Sequence, residues 1–310
     1  MFKTALLSLL CVASAALPLS RASGEQEGLK VVTLHPLLSE WTERLAGENV
    51  SVECVLPTSV NLHDFDPSPS DMVRMSEADL IIAMGKHLEP YLDRLQENLP
   101  PGAEIYEAGR LVRSVRIDPE LEMFACCPRH SHGSIDPHWW HSPMAVRTGV
   151  RHLGRELEDH LPEHKREIRK RTRELMDELS DLHDWAESEL AKIPGRHRKL
   201  VTAHAAFGYF CVEYDFKAIP VKGLSNEGQP SPGFLTETIT TIKDQQVPAV
   251  FPERSAGAAS LEAIRDATGV AVATPLIADF IPKSPEDTYS SMFQTNVNLM
   301  VTYLGGMSSE

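Results

Sequence analysis

Four residues spread along the chain are placed to hold a metal ion: His63, His138, His204 and Asp279. Three imidazoles and one carboxylate can close a four-coordinate shell around Zn2+. Imidazole nitrogen suits zinc and neighbouring transition metals, whereas Ca2+ and Mg2+ prefer oxygen ligands. His138 has the most distinctive setting, Asp136-Pro137-His138-Trp139-Trp140-His141-Ser142-Pro143. Proline pushes the residue before it out of the α region, which places His138 on a tight turn. Two tryptophans can wall one side of a pocket. Ser142-Pro143 reads as an N-cap with proline at the first helical position. A lone histidine on such a turn could equally be structural; the other three residues give it a metal-binding reading.

The elements that must position these residues read as alternating strands and helices. In the first half, strands at 30–34, 50–56, 79–84 and 104–106 alternate with helices at 36–46, 68–78 and 87–98. Residues 118–137, rich in Cys, Pro, His and acids, have no period and read as one long loop. A helix at 142–160 follows. Pro162 opens another that runs to about residue 193, with Ile168, Leu175, Leu179, Leu182, Ala186 and Leu190 on one face. Some 30 residues at ~1.5 Å each span about 45 Å, the length of a strut between two lobes. The second half repeats the element order without repeating the sequence. Strands at 199–203, 216–221, 249–251 and 270–274 alternate with helices at 204–212, 234–246, 256–268 and 286–304, and a polar loop covers 223–233.

This order predicts an α/β protein of two lobes, each a parallel four-stranded sheet flanked by helices, joined by one long backbone helix. The expected division is a signal segment at 1–22, an N-terminal metal-binding lobe at 23–141, a helical region at 142–195 and a C-terminal metal-binding lobe at 196–310. Parallel sheets bind ligands outside the carboxyl ends of their strands. His63 follows the second strand, His204 directly follows the strand at 199–203, and Asp279 lies beyond the strand that ends at Thr274. With His138 on the first lobe, each lobe supplies two ligands to the cleft between them.

Composition narrows the function classes. Residues 1–22 have the pattern of an export signal: Lys3, an apolar run over 5–17, and small residues Ser20 and Ala22 before a cleavage expected after Ala22. Leu10 makes Cys11 a poor lipid-attachment site. The formal charge is −14; with Lys3 and Arg21 removed, 28 basic against 44 acidic residues give −16. Such a surface argues against nucleic acid and suits a protein that handles cations. Export permits disulfides among Cys54, Cys126, Cys127 and Cys211, but the neighbours Cys126 and Cys127 are poorly placed to pair with each other. There is no Cys-x-x-Cys for a thiolate zinc site.

Several motifs resemble one family. His63-Asp64-Phe65-Asp66-Pro67-Ser68-Pro69, Asp136-Pro137-His138 with Trp140 and Pro143, and Thr202-Ala203-His204 with Ala206-Phe207 and Tyr209-Phe210 are similar to three motifs of the periplasmic zinc- and manganese-binding receptors of metal ABC transporters. The stretch 276–281 around Asp279, residues 223–232 and Phe251-Pro252-Glu253 fit as well. The resemblance covers nearly all of the mature chain. It implies two α/β lobes on one long helix, metal bound between them, delivery to a membrane permease, and no catalysis. It departs at Asp66, where the family usually has Glu, at Ala205, where an Asp often follows, and at His141, a usual Leu position. None is a ligand position. In the manganese branch the third ligand is often Glu, so His204 leans the expectation to zinc, with manganese the alternative cargo. The expected setting is free in the periplasm. The expected partners are the permease and, for loading, a periplasmic metallochaperone; the chain is expected to act as a monomer.

Two readings from other classes compete. A zinc hydrolase could use three histidines and an Asp279 base, yet there is no His-Glu-x-x-His or other hydrolytic motif. An exported adhesion or structural protein would carry the metal incidentally. Of the remaining histidines, His130 and His132, with His141 nearby, could form a weak capture loop or simply be solvated. His35 could line the cleft, and His87 reads as a helix cap. His152, His160, His164, His183 and His197 read as surface residues. Trp139 and Trp140 are expected to wall the cleft and pack the lobes.

Overall fold

The structure, a computed structural model, describes residues 28–57, 62–101, 103–116, 135–222, 232–254, 258–279, 284 and 286–305. The expected signal segment, Cys126, Cys127, His130, His132 and most of the 223–233 loop lie outside them. The first sheet has strands β1 (Leu29–Thr33), β2 (Val50–Cys54), β3 (Leu80–Ala83) and β4 (Ile105–Glu107) in the order β2-β1-β3-β4. The second has β5 (Lys199–Thr202), β6 (Lys217–Pro220), β7 (Ala249–Phe251) and β8 (Ala271–Val272) in the order β6-β5-β7-β8. Every pairing within them is parallel. The two halves share one topology, so each presents a crevice where the strand order reverses. Such crevices, outside the carboxyl ends of the strands, are where open parallel sheets bind ligands.

Local chemistry starts the helices where the site needs them. In α1 (Pro36–Ala46), His35 caps the first turn by accepting the Leu37 amide on Nδ1 at 3.1 Å, and Pro36 follows it. In α2 (Pro69–Ser76), Ser68 and Asp71 form a reciprocal capping box ahead of Pro69. The chain turns sharply before α3 (Leu92–Asn98). Gly85, Lys86 and His87 all have positive φ, at 76°, 56° and 64°. His87 therefore caps nothing, and the helix expected from residue 87 begins at Leu92. The pair Ser142-Pro143 opens α4 (Pro143–His160), with the Ala145 amide donating to Ser142 Oγ at 2.9 Å.

The long helix is α5 (Lys165–Leu190). Its 26 residues run about 39 Å. Its first turn is a 3-10 turn over Pro162–His164, so the helix is shorter than the sequence pattern suggests. The predicted apolar face is the buried one: Ile168, Leu175, Leu179, Leu182, Ala186 and Leu190. It packs on α4, on α1 of the first lobe and on the last helix, α9 (Tyr289–Leu304). One apolar cluster runs from Val31 through these helices to Leu304, while a smaller one around Val201, Val250 and Leu261 fills the outer side of the second sheet. The lobes are thus tied through a shared core. The second lobe also contains α6 (Gly208–Tyr214), α7 (Pro232–Asp244) and α8 (Ala258–Thr268).

Candidate metal centre

His63 lies in a turn between the buried side chains of Leu62 and Phe65, ahead of α2. His138 precedes a 3-10 turn over Trp139–His141. His204 lies in the turn after β5, not in the helix that the sequence suggests. The His204 carbonyl accepts from Thr202 Oγ1 at 2.8 Å and from the Ala206 amide at 3.0 Å, and α6 starts only at Gly208. Asp279 follows a bridge between Glu253 and Leu276 that extends the second sheet.

These four residues converge. One ligand atom from each of His63, His138, His204 and Asp279 lies within 4.8 Å of every other. The Nε2 atoms of His63 and His138 are 3.2 Å apart, and His63 Nε2 is 3.8 Å from Asp279 Oδ1. A tetrahedron with zinc bonds near 2.0–2.1 Å has edges of about 3.4 Å, so these spacings suit one small ion. His138 and His204 are fully buried, and Asp279 nearly so. The buried His204 Nε2 has no hydrogen-bond partner and faces this cluster, an arrangement that is costly unless a ligand completes it.

Two carboxylates orient the imidazoles. Asp136 Oδ1 takes both the His138 amide, at 2.8 Å, and His138 Nδ1, at 2.7 Å. Glu253 takes the His204 amide at 3.0 Å and, on its other oxygen, His204 Nδ1. Each carboxylate fixes its ring with Nε2 toward the cluster, as outer partners of metal-bound histidines do. Asp136 Oδ2 also comes close to Gly208 across the cleft. Only glycine allows that approach, because a Cβ at position 208 would lie 2.3 Å from Asp136 Oδ2. Asp136 and Glu253 stand within the sequence motifs, but their role in orienting the rings shows only in the fold. The legible signals were a carboxylate two residues before His138 and another just past β7.

Burial sets most of the charge states. It holds His63 and His138 well below the ordinary histidine value, with neighbouring histidines adding to the effect. It pushes Asp136 up to about 7 against the hydrogen bonds it accepts. His204 goes the other way: burial would lower it, but the charge and hydrogen bond of Glu253, with Asp279 and Asp136 beyond, raise it to about 9. His35 is buried, lies 5.2 Å from the Trp140 ring and is lowered to about 3 by burial; it joins the wall of the site and not the four-atom cluster.

The tryptophans do what their sequence position suggests. Trp139 is buried against Trp41 and donates to the Met84 carbonyl at 3.2 Å. Trp140 packs on His138 and donates to the Ala278 carbonyl in the other lobe at 2.9 Å. His141 does not join a capture loop: it is buried, stacked on Phe207 and bonded to Ala278. The five histidines expected on the surface are half-buried. His183, for example, meets Glu213 at 3.0 Å and the Tyr214 hydroxyl at 3.1 Å. Asp66 is exposed and paired with Arg94. Cys54 and Cys211 are free thiols.

Residues 31–303 match the family described as ZnuA, zinc-uptake complex component A periplasmic. The chain belongs to this family of metal-binding receptors of ABC transporters. Members of the family are substrate-binding receptors and not enzymes, which removes the hydrolase reading. The chain is 27% identical to the manganese-binding lipoprotein MntA of Halalkalibacterium halodurans, over 92% of this chain and 91% of that one. It is 26% identical to the high-affinity zinc uptake system protein ZnuA of Bacillus subtilis, over 80% of this chain and 78% of that one. The solved structure of the periplasmic zinc binding protein TroA from Treponema pallidum matches with a TM-score of 0.78 and 24% identity, over 89% of this chain and 99% of that one, and shares its fold. The family's relatives thus include proteins named for either metal. No helix among the described residues is long and apolar enough to cross a membrane.

Proposed function

We propose that this receptor captures Zn2+ between its lobes, through Nε2 of His63, His138 and His204 and Oδ1 of Asp279, and hands it to an ABC-transporter permease for import. The convergence of those four atoms within 4.8 Å carries the reading. Three nitrogens and one oxygen favour zinc over a harder, oxygen-preferring ion such as manganese. His204 decides the balance, since an oxygen donor there would give an even nitrogen–oxygen set. Manganese cargo is the alternative, favoured by the likeness to MntA. In this reading lobes 23–141 and 196–310 each supply two ligands, and residues 142–195 hold them at a fixed separation. The protein works as a monomer, free in the periplasm after cleavage near Ala22, and accepts zinc directly or from a metallochaperone.

X-ray absorption on the zinc-loaded protein tests the ligand set. The expected spectrum has a four-coordinate shell with three imidazole nitrogens and one oxygen at about 2.0–2.1 Å. A shell with sulfur, or one dominated by oxygen, would refute the assignment.

A further inference from the structure

His141 reaches both ligand loops of the C-terminal lobe from the turn that carries His138. Its ring stacks on Phe207 with centroids 4.3 Å apart and planes at 29°, three residues beyond His204. Its Nε2 lies 3.0 Å from the carbonyl oxygen of Ala278, the residue before Asp279. A carbonyl oxygen only accepts, so Nε2 carries the proton in this contact. Trp140 Nε1 donates to the same oxygen at 2.9 Å. One carbonyl of the C-terminal lobe therefore receives two adjacent side chains of the N-terminal lobe. The preceding residue is pinned as well: the Ile277 amide donates to Asn296 Oδ1 at 2.9 Å, and Asn296 Nδ2 donates to the Ile277 carbonyl at 2.8 Å. Trp140, His141, Ala278 and Asn296 are all buried, where water does not compete for these bonds.

We propose that His141 is a positioning residue for the metal site: by clamping the Ala278 carbonyl while stacking on Phe207, it holds the Asp279 carboxylate and His204 in register with His138. The proposal rests on the reading of these residues as zinc ligands. His141 supplies no atom to the four-atom cluster. Its effect passes through the backbone of the residue next to Asp279. An apolar side chain of similar bulk could keep the stacking on Phe207, but it could not make the bond. Trp140 would still occupy the Ala278 oxygen, so losing His141 leaves no buried acceptor bare. The loop would lose one of its two ties, and Asp279 would sample more positions.

A double-mutant cycle on the mature full-length protein tests this, with zinc itself as probe and a competing chromophoric chelator as readout. His141→Leu is expected to weaken zinc binding about tenfold, the scale seen when outer partners of ligands are lost. It should leave stoichiometry at one ion and metal-free urea stability near that of the parent. In an Asp279→Ala background, His141→Leu should weaken binding no further, because the carboxylate positioned through the lost bond is gone and the packing on Phe207 near His204 is kept. His141→Gln, whose amide N–H can reach the carbonyl, should restore most of the loss. Equal weakening in both backgrounds would show a general structural role and overturn the proposal, as would no weakening at all. Should His141→Leu not fold, Trp140→Phe removes the other donor to the same oxygen, and its effect is expected to vanish in the Asp279→Ala background in the same way. Parent-like zinc binding by Asp279→Ala alone would overturn the ligand assignment, and this proposal with it.

Discussion

The two lobes orient a histidine of the four-residue cluster by the same device and leave it in opposite charge states. In each, one carboxylate takes both the backbone amide and Nδ1 of a buried histidine: Asp136 with His138, Glu253 with His204. Yet His138 is held well below the ordinary value, while His204 is raised to about 9. The difference comes from what surrounds each pair. His138 is desolvated and faces the positive charge of His204. Asp136 is itself desolvated and raised to about 7, so it offers its histidine less charge near neutrality. His204 has Glu253 in close contact and the further negative charge of Asp279 and Asp136. A carboxylate beside an imidazole fixes the ring in both cases, but the wider field decides whether the ring holds a second proton. Before metal arrives, the protonated imidazole of the cluster is the one on the C-terminal lobe.

The largest break in this comparison is removal of His204. His204→Ala deletes one of the proposed ligands and leaves Glu253 buried without its cation. Zinc affinity should fall more than about a hundredfold, and metal-free stability should fall by about 3 kcal/mol. Chelator competition and urea melts report the two. Unchanged affinity would mean that His204 is no ligand.

Next in size is the exchange of the two carboxylates for amides. Glu253→Gln should weaken zinc binding about ten- to a hundredfold and release His204 from its raised value. Asp136→Asn should weaken binding on the lower side of that range. The two should differ most in their pH profiles. In the parent, zinc must displace a proton from His204 throughout the neutral range, so affinity should rise about tenfold per pH unit up to pH near 9. His63 and His138, already neutral there, should add nothing to the slope. Glu253→Gln should flatten the profile, and Asp136→Asn should leave it. Matching slopes in both variants would erase the asymmetry between the lobes.

The smallest effect is on the metal-free protein. His204 is raised from 6.5 to about 9, so its contribution to stability is complete below pH 6.5 and is lost as pH rises toward 9. Asp136 is raised from 3.8 to about 7, so the folded state gains from its proton below pH 3.8 and loses that gain by pH 7. Burial holds His35, His63, His138 and His141 low, and these make stability rise with pH up to about 6.5, so urea melts between pH 4 and 9 should show a maximum near there and a fall toward pH 9 as the His204 contribution is lost. Asp136→Asn should steepen the rise below pH 7, because it removes the one contribution that opposes it, and leave the fall toward pH 9 in place.

How much of this was legible from sequence depended on whether a signal was local. The strand–helix order and the parallel sheets follow from apolar patterning, and the His138 turn follows from Asp-Pro ahead of it and Ser-Pro behind. The four converging residues could be gathered because each lies past a strand or on that turn. Two helix starts misled. Residues 204–212 have helical composition, but the bonds to the His204 carbonyl fold a turn first, which moves the helix to Gly208. Residues 86 and 87 adopt left-handed backbone after Gly85, a conformation that lysine and histidine do not announce. The contacts that orient the site were invisible for a different reason. Glu253 lies 49 residues from His204, and Ala278 lies 137 from His141. Only the folded sheet brings such partners together.

The most direct test of the account is a titration of the mature, chelator-stripped protein with zinc and manganese in competition. The account predicts one tight equivalent of zinc that outcompetes manganese, with about one proton released per ion at neutral pH. A preference for manganese would contradict the cargo assigned through His204, and binding of neither ion would contradict the site itself.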